Sequence, residues 1–305
     1  MKSFFLILVI IAGLQATAQD SSQYSKNEVI YGRKDGMALT MIQMTPKQNS
    51  NGKAIISVVS GNWVSSYRMA ESHEKGAVDY TKRGYTVFLV MHGSQPRYAI
   101  TDETADIKRA VRFIRYNAKT YGIDPNHIGI TGYSSGGNLS LLVATTDEVK
   151  ETSANDPVDK ESSRVQAAAV FFPPTDMLHF GSSQNFDLAQ SRKMLAAFGV
   201  GGAFDFKQLD PKTKMYVADN DSVLLVKTKI VSPIYAVSSD DPPTIIIHGD
   251  ADIVVPLSQS QAIIEKFKEA HVPNDLIVIP GKGHGWPDMS SERGKMADWF
   301  DKYLK

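Results

Sequence analysis

The chain has 305 residues, 33 basic and 33 acidic side chains and no cysteine. This length suits one large α/β domain with an insertion rather than several independent domains. Because the charges balance, nucleic acid, an anionic membrane surface and a polyanionic substrate are not expected as partners. Without cysteine the chain can form neither a disulfide nor a lipidated N-terminal cysteine, so its stability must come from the hydrophobic core.

The first 19 residues have a pattern of their own. Lys2 precedes an apolar run at residues 4–14, and residues 16–18 are Ala-Thr-Ala. This order is typical of a secretory signal peptide with cleavage near Ala18, and the run is shorter than the roughly 20 apolar residues of a spanning helix. We therefore expect residues 1–19 to be a signal peptide and the mature protein to be periplasmic or secreted, without a stable membrane anchor.

From residue 28 onward, strand and helix patterns alternate. Two extended runs within residues 28–46 flank Lys34-Asp35-Gly36, which predicts an antiparallel hairpin at a sheet edge. The apolar patterns predict strands at 53–60, 85–91, 128–131, 165–172, 244–248 and 275–280, and helices at 71–83, 102–120, 139–145, 257–270 and the C-terminus. This alternation predicts an α/β fold with a doubly wound, mostly parallel sheet.

Two stretches outside the strands are predicted to face solvent. Residues 102–120 have the clearest helical period, and the basic side chains of this helix are predicted to form a solvated face. These side chains are Lys108, Arg109, Arg112 and Arg115. Residues 147–164 are rich in charge and in Ser, Asn and Asp, which predicts a surface loop.

The connection that precedes the strand at 244–248 is too long to be a plain loop. It contains helical patterns near residues 187–198 and 221–229. We therefore predict a small helical cap, at about residues 176–240, inserted into a single domain that spans residues 20–305.

A glycine-flanked serine follows one of the buried strands directly. The segment is Gly132-Tyr133-Ser134-Ser135-Gly136-Gly137, and a helical pattern comes next. A nucleophile elbow needs this pattern, because the serine is held on a tight strand-to-helix turn and the positions two residues away must have almost no side chain. The alternative is a glycine-rich turn with an incidental serine.

A serine hydroxyl needs a general base, and the base needs an orienting acid. His284 is a candidate base because it follows a strand and has glycines on both sides, which is unusual for a structural histidine. The acid is expected after the preceding strand, where Asp250 and Asp252 compete. Asp250 is closer to the strand end and is suited to fix the turn through backbone hydrogen bonds.

These motifs resemble the α/β-hydrolase superfamily, and the serine segment is close to the pattern of its esterase and lipase members, including acetyl and acetylxylan esterases. The resemblance covers roughly residues 28–304 and implies the order nucleophile, acid, base. It favours Asp252, which matches the superfamily pattern His-Gly-x-x-Asp-x-x-Val-Pro. The triad implied is therefore Ser134, Asp252 and His284.

The oxyanion hole is where the chain departs from the superfamily pattern. Related esterases have His-Gly-Gly-Gly after an early strand, whereas this chain has Ser60-Gly61-Asn62-Trp63. The resemblance implies one backbone N–H donor from Ser135 and a second from Asn62 or Trp63. Trp63 and Tyr133 are candidate substrate-binding residues, and for Trp63 a packed loop aromatic is the alternative.

The resemblance implies a serine hydrolase for short-chain, acetyl-type esters, with acetylated polysaccharide such as xylan as a candidate substrate and no cofactor. A peptidase of the prolyl-oligopeptidase type and a catalytically silent fold used for binding are the alternatives. His248, Asp250 and Asp252 are not expected to bind a metal, because no second histidine cluster supports them. His92, at a strand end, is expected to be structural.

Overall fold

The computed structural model describes residues 23–146, 148, 152–180, 197 and 199–305. The strands are β1 (Tyr24–Lys34), β2 (Met37–Pro46), β3 (Ala54–Val58), β4 (Thr86–Val90), β5 (Ile128–Tyr133), β6 (Ala167–Phe171), β7 (Lys207–Leu209), β8 (Tyr216–Ala218), β9 (Thr244–Gly249) and β10 (Asn274–Ile279). The α-helices are α1 (Tyr67–Thr81), α2 (Ile100–Tyr116), α3 (Ala118–Tyr121), α4 (Ser135–Thr145), α5 (Asp221–Ile230), α6 (Leu257–Glu269) and α7 (Ser290–Tyr303).

Eight strands form one sheet in the order β1-β2-β4-β3-β5-β6-β9-β10. Strand β2 is antiparallel to both β1 and β4, and the other neighbours are parallel. The central strands β3, β4 and β6 are buried at every position because helices cover both faces of the sheet. The predicted doubly wound, mostly parallel sheet with an N-terminal antiparallel pair is confirmed.

Parallel pairing brings the carboxyl ends of β5, β9 and β10 to one edge of the sheet. Loops that follow these ends can converge although they are far apart in sequence. The serine turn follows β5, the two candidate acids follow β9 and the histidine loop follows β10. The topology therefore places all three predicted motifs on the same side of the molecule.

Two helix boundaries differ from the predicted ones for local reasons. Helix α1 begins before residue 71 because the Ser66 side chain accepts a hydrogen bond from the Met69 N–H and caps the helix. The predicted helix at 102–120 is two helices, since Asn117 ends α2 and its side-chain amide donates to the Phe113 carbonyl at 2.8 Å. Gly122, at φ +66°, then ends α3.

The prediction of a solvated basic face on α2 is wrong for Arg109 and Arg115. Arg109 forms ion pairs with Asp156 and Asp159, the second of which lies in a short 3₁₀ helix at Pro157–Lys160. Arg115 donates to the backbone carbonyls of Pro125, Ser162 and Arg164, and burial lowers the pKa of its guanidinium. These two arginines attach the loop before β6 to the body of the domain.

The connection between β6 and β9 contains a two-stranded β7-β8 sheet, helix α5 and 3₁₀ turns at Gly201–Phe204 and Pro233–Tyr235. Helix α5 lies at the helical pattern predicted near 221–229. The signal peptide and nearly all of the helix predicted at 187–198 lie outside the described residues. In the described part of the chain, no helix has both the length and the apolar character needed to cross a bilayer.

Candidate active site

Ser134 lies on a sharp turn between β5 and α4. Its backbone has φ +52° and ψ −121°, a conformation that a residue with a side chain rarely adopts. A Cβ atom at Gly132 would lie 2.3 Å from the Gly136 carbonyl oxygen, and one at Gly136 would lie 2.8 Å from the Val58 carbonyl oxygen. The turn therefore requires glycine at both positions, as the elbow motif predicts.

The structure brings Ser134, His284 and Asp252 into one chain of hydrogen bonds. His284 Nε2 lies 2.9 Å from Ser134 Oγ, and His284 Nδ1 lies 2.7 Å from Asp252 Oδ2. With a carboxylate at Nδ1, that nitrogen carries the proton and Nε2 is free to accept the serine proton. This arrangement can activate a serine hydroxyl for attack on an acyl carbon.

Several donors hold the Asp252 carboxylate. Burial alone would raise its pKa, but hydrogen bonds from His248, from His284 and from the Val255 N–H outweigh burial and keep the pKa well below the ordinary value. The Val254 and Val255 N–H groups both donate to Oδ1 at 2.9 Å. Asp252 is therefore ionised at neutral pH and held in a fixed orientation toward His284.

Sequence reasoning missed the part played by His248. This side chain is fully buried in β9, with Nδ1 2.7 Å from Ser260 Oγ and Nε2 2.9 Å from the Val255 carbonyl and 3.2 Å from Asp252 Oδ2. Its Nε2–H thus donates to the Val255 carbonyl and is shared with Asp252 Oδ2, while Nδ1 accepts from Ser260 Oγ. The sequence could have indicated this role, because His248 lies at a strand end four residues before the candidate acid Asp252.

Asp250 has the structural role that its position predicts. Its Oδ1 accepts a hydrogen bond from the Gly281 N–H at 2.6 Å, at the start of the histidine loop. The Ala251 N–H donates to the Lys282 carbonyl, which joins the same two loops through the backbone. The acid loop and the histidine loop are therefore held together independently of the contact between Asp252 and His284.

The candidate oxyanion turn lies between Gly61 and Val64. These two residues exchange backbone hydrogen bonds of 3.0 and 2.9 Å, and Asn62 and Trp63 between them have φ +52° and +56°. The cross-turn bonds use the N–H groups of Gly61 and Val64, so the N–H groups of Asn62 and Trp63 take no part in that pairing. Ser60 Oγ lies 3.0 Å from Ser135 Oγ, which joins the turn to the first residue of α4.

The side chains of the two candidate substrate-binding residues are packed. Trp63 is 5% exposed, donates from Nε1 to Asn138 Oδ1 and packs edge-on against Phe204. Tyr133 stacks on Phe171 with ring centroids 4.8 Å apart. The Trp63 side chain is therefore packed, as the alternative of a loop aromatic predicts.

Phe172 is a second residue that the sequence did not single out. Its ring centroid lies 4.5 Å from that of His284 and 6.3 Å from that of Trp286, and its φ is +34°. The residue follows β6, so an apolar ring from a fourth strand end packs on the imidazole. This contact holds the ring of His284 in place and excludes water from one of its faces.

His92 is buried, and its Nδ1 lies 2.5 Å from the Gly93 carbonyl. Burial lowers the pKa of this imidazole to about 4, so the ring is neutral at physiological pH. His248 and Asp252 are committed to the hydrogen bonds above. Among the described residues, no three His, Cys, Asp or Glu side chains are grouped so that they could hold a metal ion.

Comparison with known proteins finds esterases that are similar to this chain in sequence and in structure. Esterase LipC of Mycobacterium tuberculosis (strain ATCC 25618 / H37Rv) is 24% identical over 88% of this chain and 61% of its own length. A truncated form of carbohydrate esterase from gut microbiota has 29% identity and a TM-score of 0.72, covering 92% of this chain and 97% of its own. The chain spans 50–61% of the length of the first three curated relatives that it matches.

A third protein shares the fold at lower identity. The butyrate-bound structure of esterase Est2 from the Planctomycetes species Thermogutta terrifontis is 21% identical, with a TM-score of 0.71 over 92% of this chain and 93% of its own. These structures show that the sheet and its helices have the α/β-hydrolase fold. The BD-FAE family model matches residues 41–267, which is well over half of the sequence. The chain therefore belongs to the BD-FAE family.

Proposed function

We propose that this protein is a serine carboxylic-ester hydrolase that acts through Ser134, His284 and Asp252. The observation that carries the proposal is the continuous hydrogen-bond chain from Ser134 Oγ through His284 to Asp252. Nucleophile, base and acid stand on three different loops, and their joint placement serves proton transfer from the serine. Membership of the BD-FAE family and the similarity to a carbohydrate esterase support the same class of reaction.

The proposed reaction has two halves. Ser134 Oγ bonds to the ester carbonyl carbon as its proton passes to His284 Nε2, and the carbonyl oxygen becomes an oxyanion at the N–H groups of Ser135 and of Asn62 or Trp63. Collapse of this intermediate breaks the ester bond, and the leaving alkoxide takes the proton from His284. Water then attacks the acyl carbon and gives one proton to His284. Collapse of the second intermediate breaks the bond between the acyl carbon and Ser134 Oγ, which takes that proton back as the acid is released.

Short acyl groups, acetyl in particular, are the proposed substrates, and acetylated polysaccharide is the proposed natural source. The carbohydrate esterase among the similar structures supports this choice. Bulky side chains around the elbow also favour it, because Phe172 packs on His284 and Trp63 fills space beside α4. We further propose that the protein is exported, on the basis of the signal-peptide pattern in residues 1–19.

Hydrolysis of p-nitrophenyl esters from acetate to decanoate tests the reaction. Ser134→Ala should lower kcat by roughly 10⁴- to 10⁶-fold without unfolding the protein, because it removes the nucleophile. Ser140→Ala is the matched control, since Ser140 is a nearby serine, buried within α4, whose Oγ donates to the Gly136 carbonyl and not to a triad residue. A Ser134→Ala variant of near-normal activity would remove this residue from the mechanism.

Two further measurements sharpen the proposal. A fluorophosphonate should label the wild type and Ser140→Ala but not Ser134→Ala, and an unlabelled wild type would favour a silent fold.

Activity that peaks at acetate, followed by release of acetate from acetylated xylan, would support the polysaccharide substrate. No acetate release above the Ser134→Ala background would rule that substrate out.

A further inference from the structure

We propose that Gln95 is a positioning residue for ester hydrolysis, which ties the oxyanion turn at residues 61–64 to residues 199–204, between β6 and β9. The inference rests on the proposed function, since it concerns the N–H groups that would receive the oxyanion. Gln95 lies after β4, in a loop to which the sequence assigned no function. It touches none of the three triad residues.

The oxyanion turn has a strained backbone conformation that needs contacts from outside the turn to be stable. Asn62 and Trp63, both with side chains, have φ +52° and +56°, and left-handed residues of this kind are strained and persist only where their surroundings fix them. Such a turn is stable when neighbouring groups donate hydrogen bonds to its carbonyls, because in other backbone conformations the carbonyls would point away and those hydrogen bonds would be lost. The donors of those hydrogen bonds are therefore the residues that set the direction of the N–H groups.

Gln95 supplies two of those donors. Its side-chain Nε2 donates to the Asn62 carbonyl at 2.6 Å, and its backbone N–H donates to the Trp63 carbonyl at 3.1 Å. The adjacent Ser94 Oγ accepts from the Ser65 N–H at 2.8 Å, just beyond the turn. Both left-handed residues are thus held from one loop, through the side chain of Gln95 at Asn62 and its backbone N–H at Trp63.

The same amide reaches the segment between β6 and β9. Gln95 Nε2 also donates to the Gly199 carbonyl at 3.2 Å, and Oε1 accepts from the Ala203 N–H at 3.1 Å. A Cβ atom at Gly202 would lie 2.7 Å from Gln95 Oε1 and 2.7 Å from Pro96 Cβ. The close approach of the two segments therefore depends on a glycine, and the amide lies directly at their contact.

The chemistry of the site selects glutamine. Two hydrogens on one nitrogen serve two carbonyls from different segments, while the oxygen serves an N–H, so a single amide orientation satisfies all three contacts. Alanine would remove every one of them. Glutamate has the same size and would keep the acceptor for Ala203, but would place a carboxylate oxygen against the Asn62 carbonyl.

This difference defines the experiment. Gln95→Ala and Gln95→Glu should each lower kcat on p-nitrophenyl acetate by about tenfold, which is less than the roughly 10²- to 10³-fold cost of removing an oxyanion donor outright. KM should change by less than about twofold, since the ground-state ester does not use the turn. Binding of an alkyl trifluoromethyl ketone, which forms a tetrahedral oxyanion on the serine, should weaken in parallel with kcat.

Gln166→Ala is the matched control. Gln166 also bonds to backbone, accepting from the Ile128 N–H and donating to the Arg164 carbonyl, but at the amino end of β5. Its variant should keep wild-type kcat and ketone affinity. If Gln95→Ala and Gln95→Glu also keep kcat within twofold, or change KM alone, the proposal is overturned.

Deuterium exchange gives a readout that does not depend on catalysis. Both Gln95 variants should speed exchange of the Gly61 and Val64 amides, which close the turn, and of the Ala203 amide, whereas Gln166→Ala should not. If the wild type shows no serine-dependent ester hydrolysis, the proposed function fails while this measurement still decides the link through Gln95. Unchanged exchange at both segments in the folded Gln95 variants would overturn it.

Discussion

The three triad loops and the connection between β6 and β9 are built in different ways. Asp252 accepts hydrogen bonds from two histidines and two backbone N–H groups, and the ring of His284 is held by Asp252, Ser134 and Phe172. The connection, in contrast, is attached to the core mainly by buried apolar side chains, in addition to the hydrogen bonds of Gln95. These apolar side chains are Ala203, Phe206, Leu224 and Val231, while Met215, Tyr216, Val217, Val226 and Ile230 are exposed.

The triad residues are positioned by directional hydrogen bonds, whereas the connection is positioned mainly by the volume that its apolar side chains fill. Hydrogen bonds to ionised groups are short and directional, so the triad atoms are held to a narrow range of positions. Apolar packing requires that side chains fill the available volume, but it restricts the positions of individual atoms less strictly than hydrogen bonds do. Substitutions in the first region should therefore act mainly on kcat, and those in the second mainly on the free energy of unfolding.

The largest effect is expected at Asp252. Asp252→Asn should lower kcat by about 10⁴-fold, because the amide no longer stabilises the imidazolium and can present an N–H that favours the wrong tautomer of His284. Steady-state kinetics on p-nitrophenyl acetate measure this effect. Asp250→Asn is the control: Asp250 accepts from the Gly281 N–H, an amide oxygen can replace that acceptor, and kcat should stay within a few-fold. An equal loss in the two variants would contradict the assignment of the acid.

A smaller effect should separate two aromatic residues within the connection. Phe206 is 3% exposed and Tyr216 is 73% exposed. Phe206→Ala should lower the free energy of unfolding by about 3–5 kcal/mol because it leaves a cavity, whereas Tyr216→Ala should change it by less than about 0.5 kcal/mol. Urea unfolding of both variants measures this contrast. A large loss in Tyr216→Ala would show that its ring is covered in the folded protein.

The smallest effect concerns a histidine behind the elbow. His73 packs edge-on against Tyr133, and burial lowers its pKa to about 4. Because an unfolded histidine titrates near 6.5, the unfolded state binds more protons between about pH 6.5 and 4, and stability falls as the pH drops through that window. His73 alone should contribute at most about 3 kcal/mol to this fall.

Urea unfolding across that pH window tests the contribution of His73. His73→Gln should give a flatter dependence of the free energy of unfolding on pH than the wild type, since the titrating group is gone. A His271→Gln variant controls for the substitution itself, because His271 is exposed at the end of α6. An unchanged slope in His73→Gln would show that other groups control acid unfolding.

Much of the candidate site could be predicted because its requirements are local. The spacing of glycines about Ser134 follows from collisions within a few residues of chain, such as the 2.3 Å approach to the Gly136 carbonyl that a Cβ at Gly132 would make. Asp250 could likewise be assigned to a turn from its place at a strand end. Such features are encoded in consecutive residues, so a linear pattern reports them.

The missed features depend on residues that are distant in the chain. Arg109 lies 47 residues from Asp156, and Gln95 lies 108 residues from Ala203. A basic helical face has the same sequence pattern whether it meets water or an acidic loop. The prediction for this face was wrong at Arg109 and Arg115 because no local pattern states which segment will pack against them.

The sequence by itself determined the alternation of the main-sheet strands with helices, the strained serine turn and the identity of the nucleophile, base and acid candidates. These follow from hydrophobic periodicity and from backbone sterics, which act over a few residues. Only the tertiary structure decided that Trp63 points into the core, that His248 supports Asp252 and that Gln95 joins the turn at residues 61–64 to a distant segment. Those contacts exist because the parallel sheet brings separate strand ends to one edge, and their partners could not be known before the chain was folded.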